Sequence, residues 1–163
     1  MEKRDGRTDL VRQKKNWFLK RIERYHGSLG KLLILGQKQV PAGFIQFGPI
    51  SEFKTTRLIY SDRLPIPKNG WCVACIAIQG GYRRQGLATQ LIRNVLKDLK
   101  RRGVKTVDAY PLNKKTSLNQ VSVGILNLWQ KCGFEQVTEI PPVKGEPAVN
   151  GPLKGLFLMR KKL

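Results

Sequence analysis

Two adjacent arginines and a glycine separate an apolar stretch from an amphipathic one in the segment CIAIQGGYRRQGLATQLI, residues 75–92. Arginine side chains donate charge-assisted hydrogen bonds to phosphate oxygens. The first backbone N–H groups of a helix also attract anions, because the helix dipole is positive at that end. Small residues at Gly86 and Ala88 let phosphate oxygens approach those N–H groups. The segment therefore predicts a strand, a loop and a helix that hold a pyrophosphate without a metal ion.

Two other phosphate-binding motifs do not fit the same loop. Gly81 and Gly86 have the spacing of the Walker A glycines, but Leu87 and Ala88 stand where that motif needs Lys and Ser or Thr. A dinucleotide-binding G-x-G-x-x-G is absent from the loop as well. Hydrolysis of a nucleoside triphosphate is therefore disfavoured as the function.

The charge of the chain is strongly positive. Its 163 residues contain 31 Lys and Arg against 11 Asp and Glu, which gives a formal net charge of +20. Such a chain attracts phosphorylated cofactors, nucleic acids and other anions. Because the basic residues are spread along the whole sequence, a generally basic surface and a specific polyanion site both stay open. We expect at least weak, sequence-independent and salt-sensitive binding of nucleic acid.

The cysteines predict a cytoplasmic protein without a disulfide framework, since there are only three and their number is odd. Cys72 and Cys75 form a C-x-x-C pattern inside an apolar, β-prone run. Residues three apart in a strand point to opposite faces, so this pair is predicted neither to bind a metal nor to act in redox chemistry. No membrane-spanning or secretory segment is visible, and we predict no metal site.

The elements that position the loop follow the order α-β-β-β-α-β-α-β-β, which predicts one α/β (α+β) domain over residues 1–163 with a mixed sheet. Apolar residues that recur every three or four positions mark the helices, and short apolar runs mark the strands. The predicted helices span residues 10–25, 87–102 and 117–131, the predicted strands span 31–35, 40–47, 71–78, 104–110, 134–140 and 155–162, and a long loop spans 48–70.

Three stretches resemble motifs of the GNAT N-acetyltransferase superfamily. Residues 83–88, RRQGLA, resemble its coenzyme A signature; residues 128–134, LWQKCGF, resemble its second motif; and residues 42–46, AGFIQ, resemble its third strand. The resemblance covers about residues 10–163. It implies a central mixed sheet with helices on both faces, splayed between the strands at 71–78 and 104–110. It also implies transfer of an acetyl group from acetyl-CoA to an amine that the sequence does not identify.

The same resemblance assigns residues to the cofactor. The backbone at 76–78 would pair with the pantetheine arm, and the Ile78 N–H would polarise the thioester carbonyl. The pyrophosphate would lie over the start of the helix at residue 87. The residues assigned to the cofactor in this way are Ile76, Ala77, Ile78, Arg83, Arg84, Gln85, Gly86, Leu87, Ala88, Thr89, Ser122 and Trp129.

The acid–base residues are less well defined. Trp129 occupies the position where many relatives have a tyrosine that protonates the departing thiolate, and Ser122 stands where relatives often have Asn. Tyr110 is an alternative proton donor. Four residues are candidates for the base that accepts a proton from the amine: Asp108, Glu52, Asp62 and His26.

Three functions stay open at this point. The first is an acetyl-CoA-dependent N-acetyltransferase, and the second is a regulatory module that binds coenzyme A without turnover, which Trp129 favours. The third is a nucleic-acid-associated or ribosome-associated protein, which the charge of +20 favours. We expect no membrane partner, and the sequence leaves open whether the protein forms a homodimer.

Overall fold

The computed structural model describes residues 6–25, 27–57, 59–60, 64–112, 124–140 and 155–163. Within these ranges, no helix is both long and apolar enough to cross a bilayer. Short 3-10 turns lie at Ile50–Glu52 and Gly80–Tyr82. The helices and strands in the described ranges are α1 Gly6–Arg24, β1 Gly30–Leu35, β2 Val40–Pro49, α2 Lys54–Arg57, β3 Trp71–Ile78, α3 Leu87–Arg101, β4 Thr106–Ala109, α4 Leu126–Lys131, β5 Glu135–Glu139 and β6 Phe157–Lys162.

The strands form one mixed sheet in the order β1-β2-β3-β4-β6-β5. Only β3 and β4 run parallel, and helix α3 connects them, as parallel neighbours require. The other neighbouring pairs are antiparallel. The predicted fold class, a mixed sheet with helices, is confirmed.

Most predicted elements lie where the sequence pattern places them, with two differences. The last predicted helix was expected from residue 117, but α4 begins at Leu126, and Ile125 at its N-cap has an extended backbone. Residues 117–123 of that prediction lie outside the described ranges. The expected loop at 48–70 contains the first 3-10 turn and the short helix α2.

Two apolar clusters cover the two faces of the sheet. The first cluster joins the apolar side of α3 to the central strands, and α4 adds Trp129 to it. The second cluster lies on the other face, beneath the segment that contains α2, and includes Ile50, Cys72, Tyr110 and Leu158. The four-residue apolar repeat of α3 accounts for the first cluster, since it places one continuous stripe on the sheet.

Strand β3 contains a β-bulge that the sequence pattern does not reveal. Gln46 pairs with Cys75, whereas the next residue, Phe47, pairs with Val73, so Ala74 is an extra residue on β3. An extra residue in one strand shifts the alternation of its side chains by one position.

The bulge changes which residues share a face. Val73 and Ile76 are three residues apart, yet both belong to the first cluster. Because the extra residue shifts the alternation, Cys75 faces the same side of the sheet as Cys72, which belongs to the second cluster. The argument that Cys72 and Cys75 point to opposite faces was therefore wrong. No disulfide joins any of the three cysteines.

Candidate functional site

A gap opens in the sheet where β3 and β4 part. The two strands pair through Trp71 with Val107, Cys72 with Asp108 and Val73 with Ala109. Strand β4 ends there, whereas β3 continues to residue 78. The predicted splay between these strands is confirmed, and among the described residues it leaves one side of 74–78 without a neighbouring strand.

The backbone of β3 presents hydrogen-bonding groups to this gap. The Gln79 N–H donates to the Ala42 carbonyl at 2.8 Å, which turns position 79 toward β2. Because successive residues of a strand alternate, Ala77 also faces β2, whereas Ile76 and Ile78 face away from it. The N–H groups of Ile76 and Ile78 therefore point into the gap.

The opposite side of the gap is formed by the chain that leaves β4. The Leu112 N–H donates to the Gly124 carbonyl at 3.3 Å, and the Leu126 N–H donates to the Leu112 carbonyl at 3.1 Å. Gly124 has a φ of +74°, and a Cβ at this position would lie 3.1 Å from Nε1 of Trp129. The entry into α4 therefore lies close beside the gap.

The loop between β3 and α3 turns sharply before the helix begins. Arg84 has a φ of 63° and Gly86 a φ of 76°, both in the left-handed region. The first helical hydrogen bond runs from the Gln90 N–H to the Gly86 carbonyl at 3.1 Å. The N–H groups of the first helical turn have no acceptor within the helix and are available to an anion. These N–H groups belong to Leu87, Ala88 and Thr89.

The basic side chains of the loop lie next to these N–H groups. Arg83, Arg84 and Gln85 are all exposed. Nε of Arg83 donates to the Ile78 carbonyl at 2.9 Å, which ties the loop to the end of β3. The gap and the anion-binding loop are therefore continuous with each other, and together they offer backbone donors along an extended ligand with an anionic group.

Asp108 lies at the point where the gap begins, in a buried network. It is 0% exposed. Arg160 holds it with two hydrogen bonds of 2.8 Å, from Nε and Nη2. The Tyr60 hydroxyl donates to it at 2.7 Å and lies 2.8 Å from the Tyr110 hydroxyl. Because Tyr60 donates its only hydroxyl hydrogen to the carboxylate, Tyr110 must donate to Tyr60.

These contacts bear on the predicted acid and base. Tyr110 is 3% exposed. Burial is the largest cause of a pKa well above the ordinary value for Tyr110, and the neighbouring Cys72 and Tyr60 add to the rise, which disfavours loss of its proton. Three of the about four lone-pair sites of the Asp108 carboxylate accept hydrogen bonds from Arg160 and Tyr60, and the carboxylate is buried, so it is poorly placed to accept a proton from an amine. The proposed roles of Asp108 as base and Tyr110 as acid stay predictions that this network disfavours.

The other acid–base candidates are paired or lie outside the described residues. Glu52 accepts hydrogen bonds from Tyr25 and Arg21. The Tyr25 hydrogen bond is the largest cause of a lowered pKa for Glu52, with Arg21 adding to it, although burial opposes the shift. The predicted residues His26, Asp62 and Ser122 lie outside the described ranges.

Trp129 is part of the apolar core. Its side chain is 1% exposed and packs edge-on against Phe134, with 5.0 Å between ring centroids. An indole N–H is not an acid near neutral pH, so this position lacks the proton donor that a tyrosine would supply.

Two members of the buried network, Tyr60 and Arg160, were missed in the sequence. Tyr60 lies in the segment that was taken as a plain loop, and nothing in its neighbours marks it as partly buried. Arg160 carried a weak signal, because it lies two residues after the buried Leu158 on β6 and so faces the same side of the sheet.

The buried hydroxyl and thiol groups predict a loss of stability at high pH. Burial raises the pKa of Cys72 from 9.0 to about 12. The buried neutral thiol therefore contributes its full stabilisation below pH 9, and this stabilisation is lost as the pH rises toward 12. The free energy of unfolding should fall by about 1.4 kcal/mol per pH unit for this thiol alone. The free energy of unfolding, measured with urea between pH 8 and 10, should change less with pH in Cys72→Ala than in Cys75→Ala. An equal pH dependence in both variants would contradict the prediction.

Comparisons with known proteins agree with this geometry. A model of the acetyltransferase (GNAT) family matches residues 4–134. The fold is similar to ribosomal-protein-alanine N-acetyltransferase from Brucella melitensis, with a TM-score of 0.55 and 15% identity over 93% of this chain and 78% of the other. It is also similar to a chain of the NatC complex bound to Gag peptide and CoA, with a TM-score of 0.58 and 14% identity over 93% and 79%.

A third similar structure is a GNAT family acetyltransferase from Elizabethkingia anophelis with acetyl-CoA bound. Its TM-score is 0.50, and it is 17% identical over 88% of this chain and 82% of the other. At these identities the structures show the fold alone. A comparison with curated protein sequences finds no significant match. The family model, however, covers most of the chain, from residue 4 to residue 134, three residues after the end of α4. The chain therefore belongs to the acetyltransferase (GNAT) family.

Proposed function

We propose that this protein transfers an acetyl group from acetyl-CoA to an amine. The observation that carries the proposal is the continuity between two sets of backbone donors: the N–H groups that β3 turns into the gap, and those at the start of α3. Coenzyme A is an extended molecule with an amide-containing arm at one end of a pyrophosphate. It therefore matches a strand-like edge that leads to an anion-binding helix terminus.

The arm of the cofactor would lie along residues 76–78 like an added strand. Ile76 and Ile78 contribute the backbone groups that face it, whereas Ala77 contributes its side chain. The pyrophosphate would then receive hydrogen bonds from the first turn of α3, with the exposed Arg83 and Arg84 beside it. This arrangement requires no metal ion for phosphate binding.

The chemical contribution of β3 is electrostatic. When an amine attacks a thioester, negative charge develops on the carbonyl oxygen. A fixed N–H group aimed at that oxygen stabilises the charge without needing to reorganise. The Ile78 N–H is our candidate, because it points into the gap near the end of β3.

The amine is proposed to attack in its neutral form. Among the described residues, the two carboxylates that were candidates for the base, Asp108 and Glu52, are both paired with arginine. Holding the amine beside the thioester supplies most of the acceleration in such a reaction. The departing thiolate needs little assistance, since a thiol with a pKa of about 8.5 is a moderate leaving group. A polycationic acceptor is disfavoured by the positive charge of the protein.

Trp129→Phe should therefore retain most of the acetyl-transfer rate, within about threefold. The substitution keeps an aromatic ring against Phe134 and removes no acid that the reaction uses. Steady-state release of coenzyme A thiol at saturating acetyl-CoA measures the effect. Complete loss of turnover, with acetyl-CoA affinity unchanged, would give the indole a direct role and contradict the prediction.

A module that binds coenzyme A without turnover is the second candidate, and the tryptophan at position 129 favours it. The two functions are separated by incubating the protein with acetyl-CoA and pools of amines, peptides with free N-termini among them. Release of coenzyme A thiol together with an acetylated product in the mass spectrum supports the transferase. Acetyl-CoA binding with no product in any pool supports the module.

A further inference from the structure

Three acidic residues in the described part of the chain are largely buried and neutralise little of its surface charge. Glu52, Asp98 and Asp108 have side chains that are only 10%, 14% and 0% exposed, and each is paired with arginine. Asp98 is the only acid of α3, and it turns toward Lys31 at 3.3 Å and Arg102 at 2.6 Å. The outer side of α3 is therefore left without a carboxylate.

A row of cations occupies that outer side. Arg93, Lys97 and Lys100 are all exposed. At 100° per residue, positions that are four and seven residues apart lie on one side of a helix, and at 1.5 Å per residue this row is about 10 Å long. Arg101 is left out of the row because it pairs with Asp98 at 3.5 Å.

Two further cations extend the row across the surface at the end of α4. Burial raises the pKa of Cys132, and Arg93 and Lys161 are near enough to oppose that rise, so both lie around this residue. Nζ of Lys161 donates to the Gly133 carbonyl at 3.2 Å, and Lys131, two residues before Gly133 in the sequence, is exposed. We call the resulting surface the basic face; it consists of Arg93, Lys97, Lys100, Lys131 and Lys161.

We propose that the basic face binds the phosphodiester backbone of a nucleic acid. Phosphates follow one another along a strand at a rise of about 3.4 Å, so a row of about 10 Å contacts several of them. The members of the face are all Lys or Arg, which are suited to contacts with phosphate oxygens. The face begins six residues after Leu87, beyond the turn of α3 that the cofactor would use. Binding there does not depend on acetyl transfer.

The test compares two variants that lose the same charge. The first carries Arg93→Gln, Lys97→Gln, Lys100→Gln and Lys131→Gln. The control carries Lys20→Gln, Lys38→Gln, Lys54→Gln and Lys68→Gln, four cations that are also exposed but lie elsewhere. Binding of a fluorescent random-sequence duplex of about 20 base pairs, as DNA and as RNA, is measured by anisotropy across about 50 to 200 mM salt. Circular dichroism confirms that each variant is folded.

We expect the face variant to bind the duplex at least about tenfold more weakly than the natural protein. The slope of log affinity against log salt should decrease in magnitude by about 3. The affinity of the control variant should change less than about threefold. Saturating acetyl-CoA should leave duplex binding by the natural protein within about twofold. An equal loss in both variants would overturn the proposal in favour of overall charge. So would displacement by acetyl-CoA, which would place the duplex at the cofactor loop, or tighter binding of polyglutamate than of either duplex.

Discussion

Replacing Gly86 with valine should lower the affinity for acetyl-CoA by at least about 100-fold while the protein stays folded. Gly86 has a φ of +76° and has no atom within 4 Å of a Cβ added there. A β-branched residue avoids this left-handed conformation, so the start of α3 must shift. Its N–H groups would then no longer point at the pyrophosphate. The added side chain would also occupy the space in front of these N–H groups. Isothermal titration calorimetry measures the change.

Gly103→Val provides a matched control for that experiment. Gly103 follows the other end of α3, has a φ of +75° and is equally open, with no atom within 4 Å of an added Cβ. The two variants should lose similar amounts of stability, about 1–2 kcal/mol each, because each forces a side chain into the left-handed region. Only Gly86→Val should lose affinity for acetyl-CoA. Equal affinities in the two variants would show that the pyrophosphate does not lie at the start of α3.

Asp108→Asn should lower the free energy of unfolding by about 2–4 kcal/mol. Removing one partner of a buried ion pair costs about 3–5 kcal/mol, and the cost is smaller here because the Arg160 side chain is 25% exposed and regains some water. The substitution also weakens the hydrogen bond from Tyr60, which joins the segment after α2 to β4. Urea denaturation of the variant and the natural protein measures the loss.

The same variant separates a structural carboxylate from a catalytic base. We expect the shape of its pH–rate profile to match the natural protein, since the carboxylate is held by Arg160 and Tyr60. Arg160→Gln should cost at least as much stability as Asp108→Asn, because it leaves a fully buried carboxylate with only its hydrogen bond from Tyr60. A profile in which Asp108→Asn loses rate only at pH values where the amine is charged would restore Asp108 as the base.

The loop between β3 and α3 was predictable because its signal is local. The apolar run of β3, the Arg83–Gly86 turn and the four-residue repeat of α3 lie within 31 consecutive residues, from Trp71 to Arg101. Each element follows from neighbours in the chain, through apolar periodicity and the conformational freedom of one glycine. The structure places them in the predicted order, with α3 beginning one residue after Gly86.

The Asp108 network was not predictable in the same way. Its hydrogen bonds join Asp108 to residues 48 and 52 positions away, and Tyr60 to a residue 50 positions away. Such contacts depend on which strands become neighbours, and the periodicity of a single strand does not predict its neighbours. The bulge at Ala74 was missed for a related reason. An inserted residue reverses the alternation of side chains along the strand without changing the composition of the strand. Both misses concern how the strands pair.

The placement of acetyl-CoA is tested most directly by a nuclear magnetic resonance titration of the 15N-labelled protein. The largest changes in amide shift should fall on Ile76 and Ile78 in the gap and on the first turn of α3. Amides of the β1–β2 hairpin, such as those of Leu32 and Lys38, serve as the internal control and should stay nearly unchanged. The largest shifts on the hairpin or on the basic face, with none at Ile78 or the first turn of α3, would contradict the placement.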